Sequence, residues 1–407
     1  MGADRLPPGV TGDAETPPIF NRHVVTLLSA GVAYFVVAGI SFPILPRLVE
    51  RRLGGDDTDI GLAFGMMALG MLLMRPAIGY LADRYGRRPM MVGGAIGVGL
   101  LQLVHVPAAD VGLWMLLVVR LLLGMASSAM YLGQATTATE LEPKQRSAEI
   151  FSIFGVAVFV GFAIGPVVGE AALEASGFTA AFAVAAGFAG VCALLGLFLP
   201  ETRPSDVIAR FDGLGSLFHP VAARAGAVSF LVFGAFIGFQ AFVTPYAESL
   251  GLDQVRWVLL AYAVTSLVSR AFGGRLIARA DRLRLGTAAH LTSATGLAMI
   301  VVFDQVWSLY AGAIVLAAGL SFNVPLMTVV AAESARPQER SRVIATVVAF
   351  GDLANSAAAF GLGIVADGVG YRGMYLVVMI VTLAATVLYR SPFTHPVTAI
   401  RARPGER

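Results

Sequence analysis

Along this chain, charged positions are confined to short clusters, and between the clusters lie apolar runs of roughly 20 residues. That is the length an α-helix rising about 1.5 Å per residue needs to cross the hydrocarbon of a bilayer. Twelve such runs are present, near Val24–Pro46, Ile60–Tyr80, Pro89–Val106, Gly112–Ala135, Ile150–Ala171, Phe178–Leu199, Ala225–Tyr246, Trp257–Ile277, Gly286–Phe303, Trp307–Val330, Val343–Ala366 and Tyr371–Leu388. The pattern predicts an all-α integral membrane chain, with the lipid bilayer as its solvent. The first twenty residues lack the basic-then-apolar order of a cleaved signal, so the first helix is expected to remain as an anchor.

The pattern also repeats. Superposing Arg75, Gly79 and Leu81 on Arg270, Gly274 and Leu276 brings Arg87 onto Arg282, Trp114 onto Trp307 and Glu140 onto Glu333. Further on, Phe154-Gly155 meets Phe350-Gly351, Gly165 meets Gly361, and Gly177-Phe178 meets Gly370-Tyr371. The expected organisation is a tail (1–21), a six-helix bundle (22–200), a linker rich in Pro, Gly and mixed charge (201–224), a second six-helix bundle (225–390) and a second tail (391–407). Parallel six-helix repeats are a transporter architecture, with the substrate site at midplane between the halves.

Composition sharpens this picture. With 57% hydrophobic and 14% charged residues and a mean hydropathy of +0.76, the apolar side chains exceed what a water-soluble core could enclose. Most of the 29 Lys and Arg residues fall on one side of the predicted spans. Arg47, Arg51, Arg52, Arg256 and Arg372 fall on the other, and Arg75, Arg120 and Arg270 lie within or at the edges of spans. The positive-inside rule then puts both termini in the cytoplasm of a cell (inner or plasma) membrane. The basic residues are scattered rather than gathered on one face, which argues against nucleic acid as a partner. The single Cys192 excludes a disulfide framework and reads as a packing residue.

The sequence GYLADRYGRR supplies the most specific motif. Arg84, Arg87 and Arg88 pin it to the cytoplasmic face, Asp83 and Arg87 stand at ion-pair spacing if a helix continues through them, and Gly79 and Gly86 permit close approach and a tight loop. Through Gly79, Asp83, Arg84, Gly86, Arg87 and Arg88 it resembles the loop signature between the second and third helices of the major facilitator superfamily. Arg120 and Gly124 in VVRLLLGMASSA stand where that family's drug–proton antiporters carry an arginine and a glycine. GFAIGPVVGE is similar to the antiporter signature of the fifth helix through Gly161, Gly165, Pro166 and Gly169, although Glu170 replaces a common second glycine and Ser152 an earlier one. Pro200-Glu201-Thr202 resembles the usual exit from the sixth helix.

The resemblance implies the major facilitator fold of two pseudo-symmetric bundles, and a secondary transporter rather than an enzyme. It also implies that Asp83, Arg87 and Glu140 latch the cytoplasmic side in the outward-open state. Ala278 stands at the Asp83 position of the second copy, so the latch is expected to be one-sided.

Few charges lie at membrane depth. Arg120 is either a structural arginine paired with carbonyls or, as the resemblance implies, a fixed charge modulating the proton affinity of a cavity acid. Asp352, whose repeat partner is Val156, is either a proton carrier or a structural acid. Glu149 and Glu170 are expected at the two interfaces. Gly161, Gly165 and Gly169 share one helix face and read either as ordinary small-residue packing or, by resemblance, as a half-to-half interface favouring antiport; Pro166 favours a kink there.

If the first, fourth, seventh and tenth helices line the cavity as in the resembled fold, its inventory is Tyr34, Tyr131, Gln134, Phe236, Gln240, Thr244, Tyr246 and Asn323. That set suits a lipophilic or amphipathic small molecule better than a phosphate. The expected function is proton-coupled export (antiport) by alternating access in a monomer, with the proton as coupling ion and no bound cofactor or metal. A proton-coupled importer of a small metabolite, or a non-transporting receptor, are the alternatives. No GxxxxGK[ST], HExxH or GxSxG occurs, which disfavours an ATP-driven pump and a membrane enzyme.

Overall fold

The computed structural model describes residues 20–141, 144–202, 219–336 and 339–391. The expected tails and linker fall largely outside these residues. The first four helices are α1 (Arg22–Leu53), α2 (Asp57–Tyr85), α3 (Arg87–Val111) and α4 (Leu113–Glu140). The helical run Lys144–Leu197 is broken at Ser176 and Gly177 into α5 (144–175) and α6 (178–197). After a short 3-10 turn, Pro220–Ala222, come α7 (Ala223–Ser249), α8 (Arg256–Arg279) and α9 (Arg282–Phe303). Two pieces, Val306–Leu320 and Asn323–Glu333, make α10, and Arg340–Arg390 is broken at Gly370 into α11 (340–369) and α12 (371–390). Among the described residues there is no strand, and each expected span falls on a helical segment, with the sixth helix ending at Leu197, short of the expected Leu199, and the tenth span divided between two pieces.

The two breaks are repeat-equivalent. Gly177 (φ 78°) and Gly370 (φ 72°) both take a backbone conformation that L side chains rarely adopt. Each returns the chain through the membrane. Gly39 packs on Gly165 and the Arg47 side chain reaches Glu170, so α5 runs parallel to α1. Gly196 touches Met91 while Phe182 stacks on His105, so α6 runs antiparallel to α3. A 54-residue helix would extend about 80 Å, well over twice the hydrocarbon thickness, and the glycine break resolves that mismatch.

α1 to α6 form one half and α7 to α12 the other. Close approach within a half uses small residues: the Gly165 Cα lies against Gly39, and Gly161 and Gly169 against Phe35 and Ile40. The fifth-helix glycines therefore pack on α1 of their own half. This corrects the half-to-half reading of that motif, and the small-residue reading holds. The halves themselves meet along α2 and α11, where Gly61 and Gly363 bring the two backbones into contact with Ala359 and Asp57.

Candidate functional site: an interface between two halves

Three layers of polar contact organise the molecule, beginning with the loop motif. α2 ends at Tyr85 and α3 starts at Arg87, so the Asp83–Arg87 pair, 2.8 Å apart, forms across a break rather than along a continuous helix. Gly86 makes that break at φ 104°, ψ 163°. Arg87 also pairs with Glu140 at 3.1 Å, bringing the three expected members together. Sequence reasoning missed the role of Glu201: its carboxylate accepts the backbone N–H of Arg87 (2.8 Å) and Arg88 (3.2 Å), capping the start of α3, where an anion is favoured. Thr202 adds a bond to Glu140 at 2.7 Å. All these groups belong to one half, so in this conformation they brace α2, α3, α4 and the segment after α6. The second copy keeps the Arg–Glu member, Arg282–Glu333 at 3.2 Å, without an acid at 278.

At the opposite end, an ion cluster joins the halves. Arg47 of α1 pairs with Glu170 at 2.7 Å and with Glu248, and donates to the Asp253 carbonyl at 2.7 Å. Glu170 in turn accepts the Arg256 backbone N–H at 3.2 Å, while the Arg256 guanidinium holds Glu174 at 2.9 Å. Arg51 completes the set on Glu248 at 3.0 Å. Glu170 is 1% exposed and Arg47 3%. The residue that departs from the fifth-helix motif, near the end of α5 as expected, is thus the buried centre of a cross-half lock. Its signal in the sequence was that very departure, together with Arg47 and Arg256 standing on the arginine-poor side.

A second tie lies on the same face. Asp367 of α11 accepts the backbone N–H of Asp57 (3.0 Å) and Thr58 (2.8 Å), so a residue of one half caps the first turn of α2 in the other. The Tyr371 hydroxyl donates to Asp57 at 2.8 Å.

The third layer is central. Asp352 of α11 is paired with Arg75 of α2, across the halves, with both side chains mostly buried. Arg120 is elsewhere: it is 1% exposed, its Nε–H donates to the Ala63 carbonyl at 2.9 Å, and its guanidinium lies 5.6 Å from the Phe64 ring. Arg120 thus ties α4 to α2 through a carbonyl, its buried Nη1 has no partner among the described residues, and no ion pair joins it to Asp352.

Tyr34 and Tyr131 come together, joined to Phe35, Phe162, Phe236 and Tyr262 in a ladder of rings whose neighbouring centroids are 4.7 to 6.4 Å apart. Phe236 and Tyr262 belong to the second half and the others to the first. Gln134 instead bonds the Ala30 carbonyl and Cys192 inside its own half, where the cysteine is a buried packing residue as expected. The Tyr246 hydroxyl is held by Asp304 at 2.7 Å near the Arg47 face. Gln240 and Thr244 are buried on α7, with the Gln240 Oε1 and the Thr244 hydroxyl unbonded among the described residues; Asn323 is buried at the break in α10.

Two six-helix halves, tied at one end by buried ion pairs and meeting around a central aromatic and charged interface, match what comparison with known proteins finds. The family model of the Major Facilitator Superfamily matches residues 27–303 and 245–406. The chain belongs to that superfamily. An uncharacterized MFS-type transporter of Salmonella typhimurium is 26% identical over 88% of this chain and 95% of its own length. The tetracycline resistance protein, class B, of Escherichia coli is 30% identical over 38% of this chain and 37% of its own. Among solved structures, the human organic anion transporter MFSD10 superposes with a TM-score of 0.70 at 20% identity, over 92% of this chain and all of that one. The nucleoside transporter NupG superposes with 0.75 at 14%, over 91% and all. The chain is a multi-pass membrane transporter and not an enzyme.

Proposed function

We propose that this chain is a proton-coupled exporter of lipophilic or amphipathic small molecules, working as a monomer by alternating access with both termini in the cytoplasm. In that orientation the Arg47–Glu170–Arg256 cluster is the outer gate and the conformation described is closed to the outside. The observation that carries the reading is the Arg75–Asp352 pair. It is a titratable contact between the two halves, in a position where breaking it changes how the halves are held.

Protonation of Asp352 removes the anion from Arg75 and releases that tie; deprotonation restores it. A ligand or proton shifts a two-state equilibrium only through such a differential interaction. The loop motif at the other end braces the inner side and forms the inner latch when the outer gate opens. Partial similarity to tetracycline resistance proteins supports export over import.

The test is accumulation of a panel of lipophilic fluorescent compounds in efflux-deficient cells expressing the chain, with and without a protonophore. Lower accumulation, restored by the protonophore and abolished by Asp352→Asn in normally inserted protein, is the expected result. Raised accumulation would replace export with uptake. Full protonophore-sensitive export by Asp352→Asn would remove Asp352 from coupling.

A further inference from the structure

The internal duplication makes Arg75 and Arg270 equivalent, and the structure uses them in related ways with one difference. Each lies within its helix and reaches across to the other half: Arg75 to α11, where it finds Asp352, and Arg270 to α5. The position in α5 equivalent to Asp352 is Val156. Arg270 therefore finds no acid. Its guanidinium lies 4.8 Å from the centre of the Phe159 ring and close to the backbone at Gly155, and among the described residues it makes no ion pair or hydrogen bond; its buried Nε is without an acceptor.

A guanidinium keeps its charge, and Arg270, partly exposed and held by no anion among the described residues, has N–H donors open to one. Arg75 and Arg270, which both reach across the halves, have one carboxylate between them, Asp352. The ring that Arg270 faces, Phe159, lies 6.2 Å from Phe162, the rung of the ladder next to Phe236. The uncompensated cation thus stands beside an aromatic wall built from both halves.

We infer that Arg270 is the receptor for the anionic group of the transported molecule, a carboxylate or sulfonate on an apolar, aromatic body that lies along the Phe162–Phe236–Tyr262 ladder. The cargo supplies to the second arginine the anion that Asp352 supplies to the first. A planar fork of N–H donors suits either oxyanion. This rests on the transport reading given above and narrows its substrate class to amphipathic organic anions.

The test compares two probes sharing one aromatic skeleton, the anionic 8-anilinonaphthalene-1-sulfonate and the neutral N-phenyl-1-naphthylamine. Fluorescence titration uses the full chain in lipid nanodiscs, with empty nanodiscs subtracted. A charge-assisted contact in a shielded site should make the anionic probe bind at least about tenfold more tightly than the neutral one. Arg270→Gln should abolish that preference while leaving the neutral probe within about twofold, and Arg270→Lys should keep part of it.

Val156→Asp keeps the arginine and places the repeat-equivalent acid opposite it. It should weaken the anionic probe about tenfold and spare the neutral one, which keeps the test open if Arg270→Gln fails to fold. Equal binding of both probes by the wild type overturns the inference, as does an unchanged preference in Val156→Asp. Protonophore-sensitive transport of neutral compounds, indifferent to Arg270→Gln, would sink the anion site and leave the exporter standing. Arg270-dependent binding of the sulfonate with no movement of either probe in proteoliposomes under a proton gradient would do the reverse.

Discussion

Replacing Glu170 by Gln should open the outer gate. The cluster is charge-balanced, with Arg47, Arg51 and Arg256 facing Glu170, Glu174 and Glu248. Glutamine keeps the size and an acceptor for the Arg256 N–H but removes the most deeply buried of the three anions, leaving one surplus positive charge between the halves. Breaking a buried pair from one side costs about 3–5 kcal/mol; Arg47 retains Glu248 and Arg256 retains Glu174, so the lower end, about 3 kcal/mol, applies. In the open state the same arginines are hydrated and lose little, so nearly all of that cost falls on the closed state. At about 1.4 kcal/mol per decade, the closed-to-open ratio falls about 100-fold.

The reporter is Thr244→Cys, fully buried on α7 about one turn inside Glu248. The native Cys192 is the sole cysteine and is buried, so background labelling is low. Reaction of this cysteine with a membrane-impermeant maleimide in intact cells should accelerate by one to two orders of magnitude in Glu170→Gln. An unchanged rate, in protein that elutes and melts like the parent, would show that the cluster is not a gate.

Gly61→Val tests the same equilibrium without altering charge, because its side chain would press on the Ala359 carbonyl across the halves; the Thr244→Cys reporter should again label faster. Gly165→Val, by contrast, meets Gly39 within one half, so it should lower the melting temperature and yield without exposing the reporter. Gly86→Ala forces an L-residue into a region open essentially to glycine alone and pushes on the Glu201 carboxylate, costing about 1–3 kcal/mol, visible as a lowered melting temperature in detergent; an unchanged midpoint would remove Glu201 as the α3 cap. Asp83→Arg should leave membrane insertion intact and abolish transport in vesicles, and full transport would refute the latch.

Much of this molecule is written locally. Apolar run length gives the spans, because crossing hydrocarbon is a demand each segment meets by itself. The charge clusters mark the ends, and the glycines at 177 and 370 mark the turns that the repeat predicts. The loop motif was legible because Asp83 and Arg87 are four residues apart, and Glu140 followed from resemblance.

What only the tertiary structure decided is which distant charges meet. Glu170 lies 123 residues from Arg47 and 86 from Arg256, and Arg75 lies 277 from Asp352. The energy of such pairs is set by helix packing, which no local pattern encodes. For the same reason the sequence left two readings each for Arg120 and Asp352. The fold resolved the first by presenting the Ala63 carbonyl and gave the second an arginine partner across the interface. Sequence by itself showed that charges would lie at membrane depth; packing alone determined that Arg75 finds a carboxylate, Arg120 a carbonyl and Arg270 only a ring.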